Sequence, residues 1–274
     1  MTAPGVYDMP SEEYHACDAL SSSGARKLLS PSCPALFRWH RDNPQPPNRV
    51  FDFGHAAHKM VLGEGAELVV INHADYRTNA AKESRDEAYA DGRTPLLAHE
   101  AVIVRRMAVA LEAHPAADLM MRPGKPEQSL FAKDVETGVM LRARLDWLPE
   151  AVDGKLTVVD YKTAASVEPA AFARSVARYG YFQQDPWYRD IVLALELADE
   201  VEFIFIAQAK EPPYLVTMFK LDDYSLEVGR KRNRKAIDLF AECTERDDWP
   251  TYAQGVETLT VPVWADDDDE IVIS

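Results

Sequence analysis

The amino-acid sequence predicts an α/β fold in which helices flank a central mixed β-sheet, preceded by a mainly helical N-terminal region. Three observations support this prediction. Apolar residues recur at helical spacing in residues 1–125, five segments after Pro126 alternate as β-strands do, and helical segments stand between and after those strands. The 274 residues, 47% of them hydrophobic, are enough to bury a core for such a fold.

The N-terminal region is expected to contain several separate helices. Serines in DALSSSGARKLLS offer an N-terminal cap before Leu28 and Leu29. Prolines divide PSCPALFRWHRDNPQPPN into a short helix and a loop. Apolar spacing then predicts a buried helix from Gly54 to Leu62, and the segment that starts at TPLLAHE is expected to form a long amphipathic helix ending near His114.

Five strands are predicted for the second part of the chain, and turn signals at ETG and VDG predict that the first three form a meander. A helix over EPAAFARSVARYG and a second from QQDPWYRD onwards follow the third strand, and a third helix begins at DYSLEVG. Pro186 is expected in the first turn of its helix, where a missing N–H has no cost. The strands are QSLFAKDV, VMLRARLDWL, KLTVVDYKT, VEFIFIAQA and YLVTMFKL.

Composition excludes several classes of protein. A net charge of −15 argues against a general nucleic-acid coat, because nonspecific affinity for phosphates comes from clustered Lys and Arg. Three widely separated cysteines cannot supply a disulfide framework or a four-thiolate metal site. No segment approaches the length of a membrane span, and the first residues lack a basic region followed by an apolar run, so we expect a cytoplasmic protein.

Charged residues are unevenly distributed. Five acidic residues stand in ADDDDE, within an expected solvated tail over residues 265–274. Five basic residues stand in GRKRNRK, from Gly229 to Lys235. An exposed helix face and a DNA contact explain this basic run equally well.

Three ionisable residues stand on two predicted strands whose other residues are mostly β-branched or aliphatic, as in buried strands. Because side chains alternate along a strand, Asp146 shares one face with Arg142 and Arg144, and Asp160 shares a face with Lys162. If the two strands pair, both carboxylates converge on one cation beside Lys162. Oxygen ligands of this kind suit Mg²⁺ or Mn²⁺, with positions left for water and a substrate phosphate. The alternative is that both aspartates end strands and that Lys162 pairs with one of them at the surface.

Four ordered motifs resemble RecE-type phage exonucleases (exodeoxyribonuclease VIII) of the PD-(D/E)xK nuclease superfamily. LDW and VVDYKT resemble the nuclease signature, and FGHAAHKMVLGE is similar to a G-x-x-x-H helix with Gly54 and His58. YGYFQQDPWYRD resembles a Y-x-Y-x-x-Q-x-x-x-Y motif, and the start of the chain resembles the N-terminal segment of these proteins. The sequence differs from the pattern at two positions, with Leu145 in place of Pro and Pro186 where Ala is more usual. In the third motif the tyrosines are Tyr179, Tyr181 and Tyr188, which we interpret as packing residues.

The resemblance implies a restriction-endonuclease-like core and Mg²⁺-dependent cleavage of DNA. It implies metal binding by Asp146, Asp160 and His58, and catalytic roles for these three residues and for Lys162 and Gln184. Glu127 matches an acidic position of related nucleases, although an exposed loop carboxylate is an almost equally good interpretation. The expected phosphate contacts are Arg142, Arg144, Arg230, Lys231 and Arg232.

The function implied is that of an exonuclease acting on linear double-stranded DNA with free ends, 5′ to 3′, in phage-type recombination or DNA repair in a bacterial host. The polarity and duplex preference come from the resemblance alone. It implies one nuclease domain over residues 1–264, with a catalytic core at 126–264, a homo-oligomer, and a single-strand annealing protein as partner. The alternatives are a RecB-like or CRISPR-adaptation nuclease and an inactive DNA-binding protein of the same fold.

Overall fold

Strands and helices alternate along most of the chain in the computed structural model, which describes residues 2–44, 46–63, 65–120, 122–253 and 255–261. The strands are β1 Gly5–Tyr7, β2 Leu20–Ser21, β3 Leu68–Ile71, β4 Thr94–Leu97, β5 Gly124–Lys133, β6 Met140–Pro149, β7 Lys155–Ala164, β8 Glu200–Ala209 and β9 Val216–Phe219. The helices are α1 Ser11–Ala16, α2 Ser22–Leu28, α3 Pro34–Asp42, α4 Arg49–Leu62, α5 Asn79–Ala90, α6 Ala98–Glu112, α7 Ala116–Met120, α8 Pro169–Tyr179, α9 Tyr181–Ala194 and α10 Asp223–Arg246. The predicted tail at 265–274 lies outside the described residues.

The strands form sheets with both parallel and antiparallel pairs, which confirms the predicted mixed α/β class. One sheet has the order β1-β5-β6-β2, in which β2 is parallel to β6 and the other pairs are antiparallel. A second has the order β7-β8-β9, with β7 parallel to β8 and β9 antiparallel to β8. The short strands β3 and β4 form a parallel pair. Helices separate the strands and pack against these sheets, as the sequence pattern indicates.

The predicted meander forms only in part. Strands β5 and β6 make an antiparallel hairpin in which Phe131 lies opposite Arg142. Strand β7 does not continue that sheet but pairs in parallel with β8, with Val158 opposite Phe203. Parallel pairing requires a long crossover, which α8 and α9 supply, and it suits a strand that is buried on both faces.

Strand β7 separates two hydrophobic clusters. Leu156 and Val158 belong to the larger cluster, which also contains residues of β5, β6, β8, α9 and α10. Val159 and Tyr161, on the opposite face, belong to a second cluster with residues of α4 and α6. Asp160 continues the face of Leu156 and Val158 towards the carboxyl end of the strand. The functional side chains of β7 therefore lie where the larger cluster ends.

Two N-terminal helices differ from their predicted bounds. Helix α4 starts at Arg49 rather than Gly54, because the Asn48 side chain accepts a hydrogen bond from the Val50 backbone and caps it earlier. Helix α6 starts only at Ala98, because residues 94–97 form β4, which is buried throughout and pairs with β3. Tertiary burial therefore overrides the helical pattern of TPLL. The Ser21 cap of α2 is present, since its hydroxyl accepts from the Gly24 backbone.

The prediction that Pro186 lies in the first turn of its helix is wrong. Helix α9 begins at Tyr181, so Pro186 is an interior residue that leaves the Phe182 carbonyl without its usual intrahelical donor. That carbonyl lies against Gly229 of α10, where an added methyl group would overlap it. Close packing between α9 and α10 thus accommodates the proline.

A partly buried ion pair connects the β5–β6 hairpin to α10. Asp134 accepts hydrogen bonds from the backbone and hydroxyl of Thr137 and from both terminal nitrogens of Arg234, at 2.7–3.1 Å. Burial opposes ionisation of Asp134, but these donors outweigh it and lower its pKa to about 2. Within the described part of the chain, no helix is both long enough and apolar enough to span a lipid bilayer.

Candidate active site

The candidate active site lies in a cleft whose wall is the polar face of β6. Ala143 and Leu145 are buried, whereas Arg142, Arg144 and Asp146 line the cleft. This is the alternation expected of a strand with one face in the core. The cleft has a volume of about 930 Å³ and also exposes Gln184 of α9.

Asp160 and Lys162 lie on the same face of β7, beside this wall. The Lys162 Nζ is 2.7 Å from Oδ2 of Asp160, and the Asp160 side chain is only 7% exposed. The Lys162 ammonium also lies 5.0 Å from the centroid of the Tyr181 ring. The interpretation of Lys162 as a surface residue paired with a strand-end aspartate therefore does not describe this buried pair.

His58 reaches the same place from helix α4. Its Nδ1 lies 3.3 Å from Oδ2 of Asp146, and its ring packs edge-on against Tyr161 at a centroid distance of 5.2 Å. A methyl group added to Gly54 would meet only Thr163, at an ordinary contact distance of 3.9 Å. Steric contacts therefore do not require glycine at position 54 of the G-x-x-x-H pattern. The histidine of the pattern, His58, does lie at the site.

Gln184 connects α9 to the acidic pair. Its Nε2 donates to Oδ1 of Asp160 at 2.6 Å, so the amide is in direct contact with a predicted metal ligand. Helix α9 is itself anchored, because Arg189 pairs with buried Asp185 and donates to the Val201 carbonyl of β8. Burial raises the pKa of Asp185 to about 6 even with Arg189 beside it.

Burial and neighbouring charges shift the pKa values of Asp146 and Lys162. Burial raises the pKa of Asp146, and the negative charge of Asp160 adds to that increase, whereas His58 and Lys162 oppose it. Burial alone would lower the pKa of Lys162, but Asp160 and Asp146 outweigh it and raise the pKa. The ammonium is therefore held in its charged form next to two carboxylates.

Two carboxylate oxygens at the site have a nitrogen nearby, since Lys162 Nζ lies 2.7 Å from Oδ2 of Asp160 and His58 Nδ1 lies 3.3 Å from Oδ2 of Asp146. Among the described residues, no well-directed hydrogen bond reaches Oδ2 of Asp146 or Oδ2 of Asp160, although both atoms are buried. Buried acceptors without well-directed donors carry a desolvation cost that a bound cation would remove. Within the same ranges, no three His, Cys, Asp or Glu side chains group closely enough to hold a metal. The residues fit Mg²⁺ or Mn²⁺, which commonly take only one or two protein carboxylates.

Glu127 lies opposite Asp146 in the register of the hairpin, between the pairs Pro126–Trp147 and Gln128–Leu145. Its backbone has a φ of 50°, a left-handed conformation that is strained for glutamate. Its Oε2 is 2.6 Å from Nε of Arg144. Glu127 is therefore an ion-paired strand residue rather than an exposed loop carboxylate.

The three motif tyrosines pack differently. Tyr181 stacks on Phe205 at a centroid distance of 5.7 Å, and Tyr188 packs edge-on against Phe203 at 5.9 Å. Burial raises the pKa of Tyr188 well above its ordinary value, so its hydroxyl stays neutral. Tyr179 is 47% exposed. Of these three tyrosines, Tyr181 and Tyr188 line the cleft, as Gln184 does.

The five expected phosphate contacts divide into two groups. Arg142 and Arg144 line the cleft, but they donate to the carbonyls of Tyr14 and Met9, so they also hold the N-terminal segment. Outside the residues that line the cleft, Arg230 pairs with Asp190, Lys231 with Glu227, and Arg232 donates to the Ser30 carbonyl. Their roles in DNA binding stay predictions.

Several basic residues of the cleft were not identified from the sequence. They come from α1, α2 and α3, which are far from β6 and β7 along the chain, so only the fold shows that they share the cleft. The serine cap before α2 locates that helix but not its position relative to the site. These residues are His15, Arg26, Lys27, His40 and Arg41.

Comparison with known proteins agrees with the fold. Residues 21–262 match the family described as a PDDEXK-like domain of unknown function, and the chain therefore belongs to that family. The crystal structure of the protein named "Putative exonuclease" from Eubacterium rectale is similar in fold, with a TM-score of 0.62 over 94% of this chain and 96% of that one, at 13% identity. A crystal structure of SSO0001 aligns over 73% of this chain and 85% of that one at 14% identity, with a TM-score of 0.31. No match was found among curated proteins.

Proposed function

We propose that this chain is a metal-dependent nuclease, and specifically a RecE-type exodeoxyribonuclease that degrades linear double-stranded DNA from its ends, 5′ to 3′. The observation that carries the proposal is the cluster of Asp146, Asp160 and Lys162, in which Asp146 lines the cleft and the Lys162 ammonium lies 2.7 Å from Oδ2 of Asp160. Membership of the PDDEXK-like family and the name of the similar structure support cleavage of DNA. Polarity and duplex preference follow from the resemblance of motifs.

Each side chain of the site has a distinct task in this proposal. Asp146 and Asp160 would hold Mg²⁺, and a divalent cation in such a site activates water and neutralises charge on a phosphate. Lys162 keeps a positive charge 2.7 Å from Asp160, where it stabilises charge that develops on the scissile phosphate. Gln184 holds Asp160 in orientation. His58, whose Nδ1 lies 3.3 Å from Asp146, is the third proposed ligand of the cation.

The proposal is tested with purified full-length protein, linear duplex DNA and covalently closed duplex DNA, each with Mg²⁺ and with EDTA. We expect loss of the linear form alone, and only with Mg²⁺. Linear DNA labelled at the 5′ end or the 3′ end distinguishes the polarities by the order in which label is released. Cutting of closed circles would indicate an endonuclease, and binding without digestion would indicate an inactive DNA-binding protein.

A matched pair of lysine variants assigns the chemistry to the site. Lys162→Ala should abolish turnover and leave the protein folded, because its charge acts on the reacting phosphate. Lys220→Ala removes a surface lysine that is 72% exposed and lies 3.8 Å from Glu202, so turnover should stay unchanged. Normal activity of Lys162→Ala would remove this residue from the mechanism.

The proposal also includes a homo-oligomer that surrounds DNA and a single-strand annealing protein as partner in phage-type recombination. Sedimentation of the full-length protein, with and without duplex DNA, measures the first part. A protein that stays monomeric while it digests DNA would contradict the oligomer without affecting the nuclease proposal.

A further inference from the structure

Arg26 differs from the other arginines of the cleft in its surroundings. Arg41 forms an ion pair with Asp18, and Arg144 lies 2.6 Å from Glu127. Arg142 donates to backbone carbonyls of the N-terminal segment, including that of Cys17 at 3.1 Å. Among the described residues, no carboxylate lies within ion-pair distance of Arg26 and no acceptor takes a hydrogen bond from it.

The side chain of Arg26 packs against Gly180, the residue between α8 and α9. A methyl group added to Gly180 would overlap Cδ of Arg26, and the Gly180 backbone has a φ of 70°. Glycine is therefore required at this position twice, for its left-handed backbone and for the passage of the arginine side chain. The aliphatic part of Arg26 is held in the wall of the cleft.

The guanidinium of Arg26 lies close to Tyr181, the aromatic residue that Lys162 also contacts. Burial lowers the pKa of Arg26, and the group that partly offsets this is Tyr181. Lys162 also lies near this tyrosine, 5.0 Å from the centroid of its ring. Arg26 and Tyr181 line the cleft that Asp146 and Gln184 also line.

A half-buried guanidinium without an anion has lost part of its hydration and gained no counter-charge. A phosphate would supply that counter-charge, and the planar fork of arginine can bind two phosphate oxygens at once. We infer that Arg26 binds a backbone phosphate of the DNA strand next to the scissile phosphate. This inference rests on the proposed nuclease function, and it assigns Arg26 a role in binding and positioning rather than in the chemical step.

The test measures how salt affects the binding of linear duplex DNA to the full-length protein in EDTA. Each phosphate contact contributes about −0.9 to the slope of log K against log salt concentration. Arg26→Gln should therefore make this slope less negative by about 1 and weaken binding about tenfold at moderate salt. In Mg²⁺, it should raise KM about tenfold with kcat changed less than about threefold.

Two further variants separate a phosphate contact from a structural role. Arg26→Lys keeps the positive charge, so it should keep the salt slope of the wild type while losing part of the affinity. Arg246→Gln makes the same change of charge at a residue that pairs with Glu242 at the end of α10, outside the cleft, so slope and KM should stay unchanged. Equal unfolding temperatures for the three variants and the wild type would show that folding is unaffected.

The outcomes distinguish this inference from the proposed function. If wild-type protein digests linear DNA and Arg26→Gln keeps both the wild-type slope and KM, the inference is wrong and the nuclease proposal stands. If binding in EDTA is too weak to measure, KM in Mg²⁺ decides in the same way. If wild-type protein neither binds nor digests DNA, the proposed function fails and the inference fails with it.

Discussion

Asp134, which is partly buried, and Asp160, which is buried, are both carboxylates paired with a cation, yet their surroundings differ. Asp134 accepts four hydrogen bonds, two from Thr137 and two from Arg234. Asp160 accepts one from Gln184 on Oδ1, and its Oδ2 has Lys162 nearby but no well-directed donor among the described residues. Asp160 also has a second carboxylate close to it, that of Asp146, whose negative charge opposes ionisation of both.

The comparison shows how the same residue type serves stability in one place and ligand binding in another. A carboxylate whose acceptor sites are all used is stabilised as an anion and connects parts of the fold. At Asp160 one lysine lies close to two carboxylates, so negative charge remains that a bound cation would compensate. The following predictions separate the two cases.

The largest expected effect is on cleavage. Asp160→Asn should lower the rate of DNA digestion by at least about 10³-fold, since it removes a ligand of the cation that stabilises charge on the phosphate. Asp134→Asn should digest DNA at the wild-type rate at temperatures where it is folded. Rates are measured on linear duplex DNA with Mg²⁺, and comparable losses in both variants would contradict the distinction.

The second effect concerns the hydrogen bond on the other oxygen of Asp160. Gln184→Ala should lower activity by up to about 100-fold, because it removes the amide that orients Asp160, a proposed metal ligand. The loss should appear partly as a higher Mg²⁺ concentration for half-maximal activity. Gln183→Ala is unsuitable as a control, because Gln183 is buried and donates to Asn233. Exposed Glu196→Ala on the following loop is the matched substitution and should change neither quantity.

The third effect is on stability and its pH dependence. The pKa of Asp134 is lowered from an ordinary value of 3.8 to about 2 in the folded protein. Its contribution is therefore complete above about pH 4 and is lost as the pH falls towards 2, since protonation removes the anion that Arg234 binds. Asp134→Asn should lower the free energy of unfolding by about 1–2 kcal/mol at pH 7.

Urea unfolding of wild type and Asp134→Asn at pH 7, 5, 4 and 3 checks this prediction. The difference between the two proteins should narrow below pH 4. A difference that stays constant over the whole range would show that the stabilisation comes from packing or from neutral hydrogen bonds.

The smallest effect is stabilisation by the cation itself. Mg²⁺ at ten times its dissociation constant should stabilise the wild type by about 1.4 kcal/mol, because it binds the folded state alone. The unfolding temperature of Asp134→Asn should increase by a similar amount, whereas that of Asp160→Asn should not change. Thermal unfolding with Mg²⁺ and with EDTA provides the measurement, which does not depend on activity. Equal stabilisation of all three proteins would place the cation elsewhere.

The larger elements of the fold were predictable because their signals are local. The five strands of the second part each formed where period-two alternation and turn residues indicated them. The helices that begin near Pro169 and Asp223 also formed. The errors arose where distant segments decided the outcome. Residues 94–97 became a strand because β3 was available to pair with it, and Pro186 was accommodated inside α9 because Gly229 of α10 lies against the freed carbonyl.

The sequence by itself determined which faces of β6 and β7 carry Asp146, Asp160 and Lys162, because alternation along a strand is a property of the backbone alone. Only the tertiary structure decided what surrounds those faces. It brought His58, Gln184 and Arg26 to them from three helices, and it showed that Arg230 and Lys231 already have acidic partners. Contacts between residues far apart in the chain depend on how sheets and helices pack, and no local pattern records that packing.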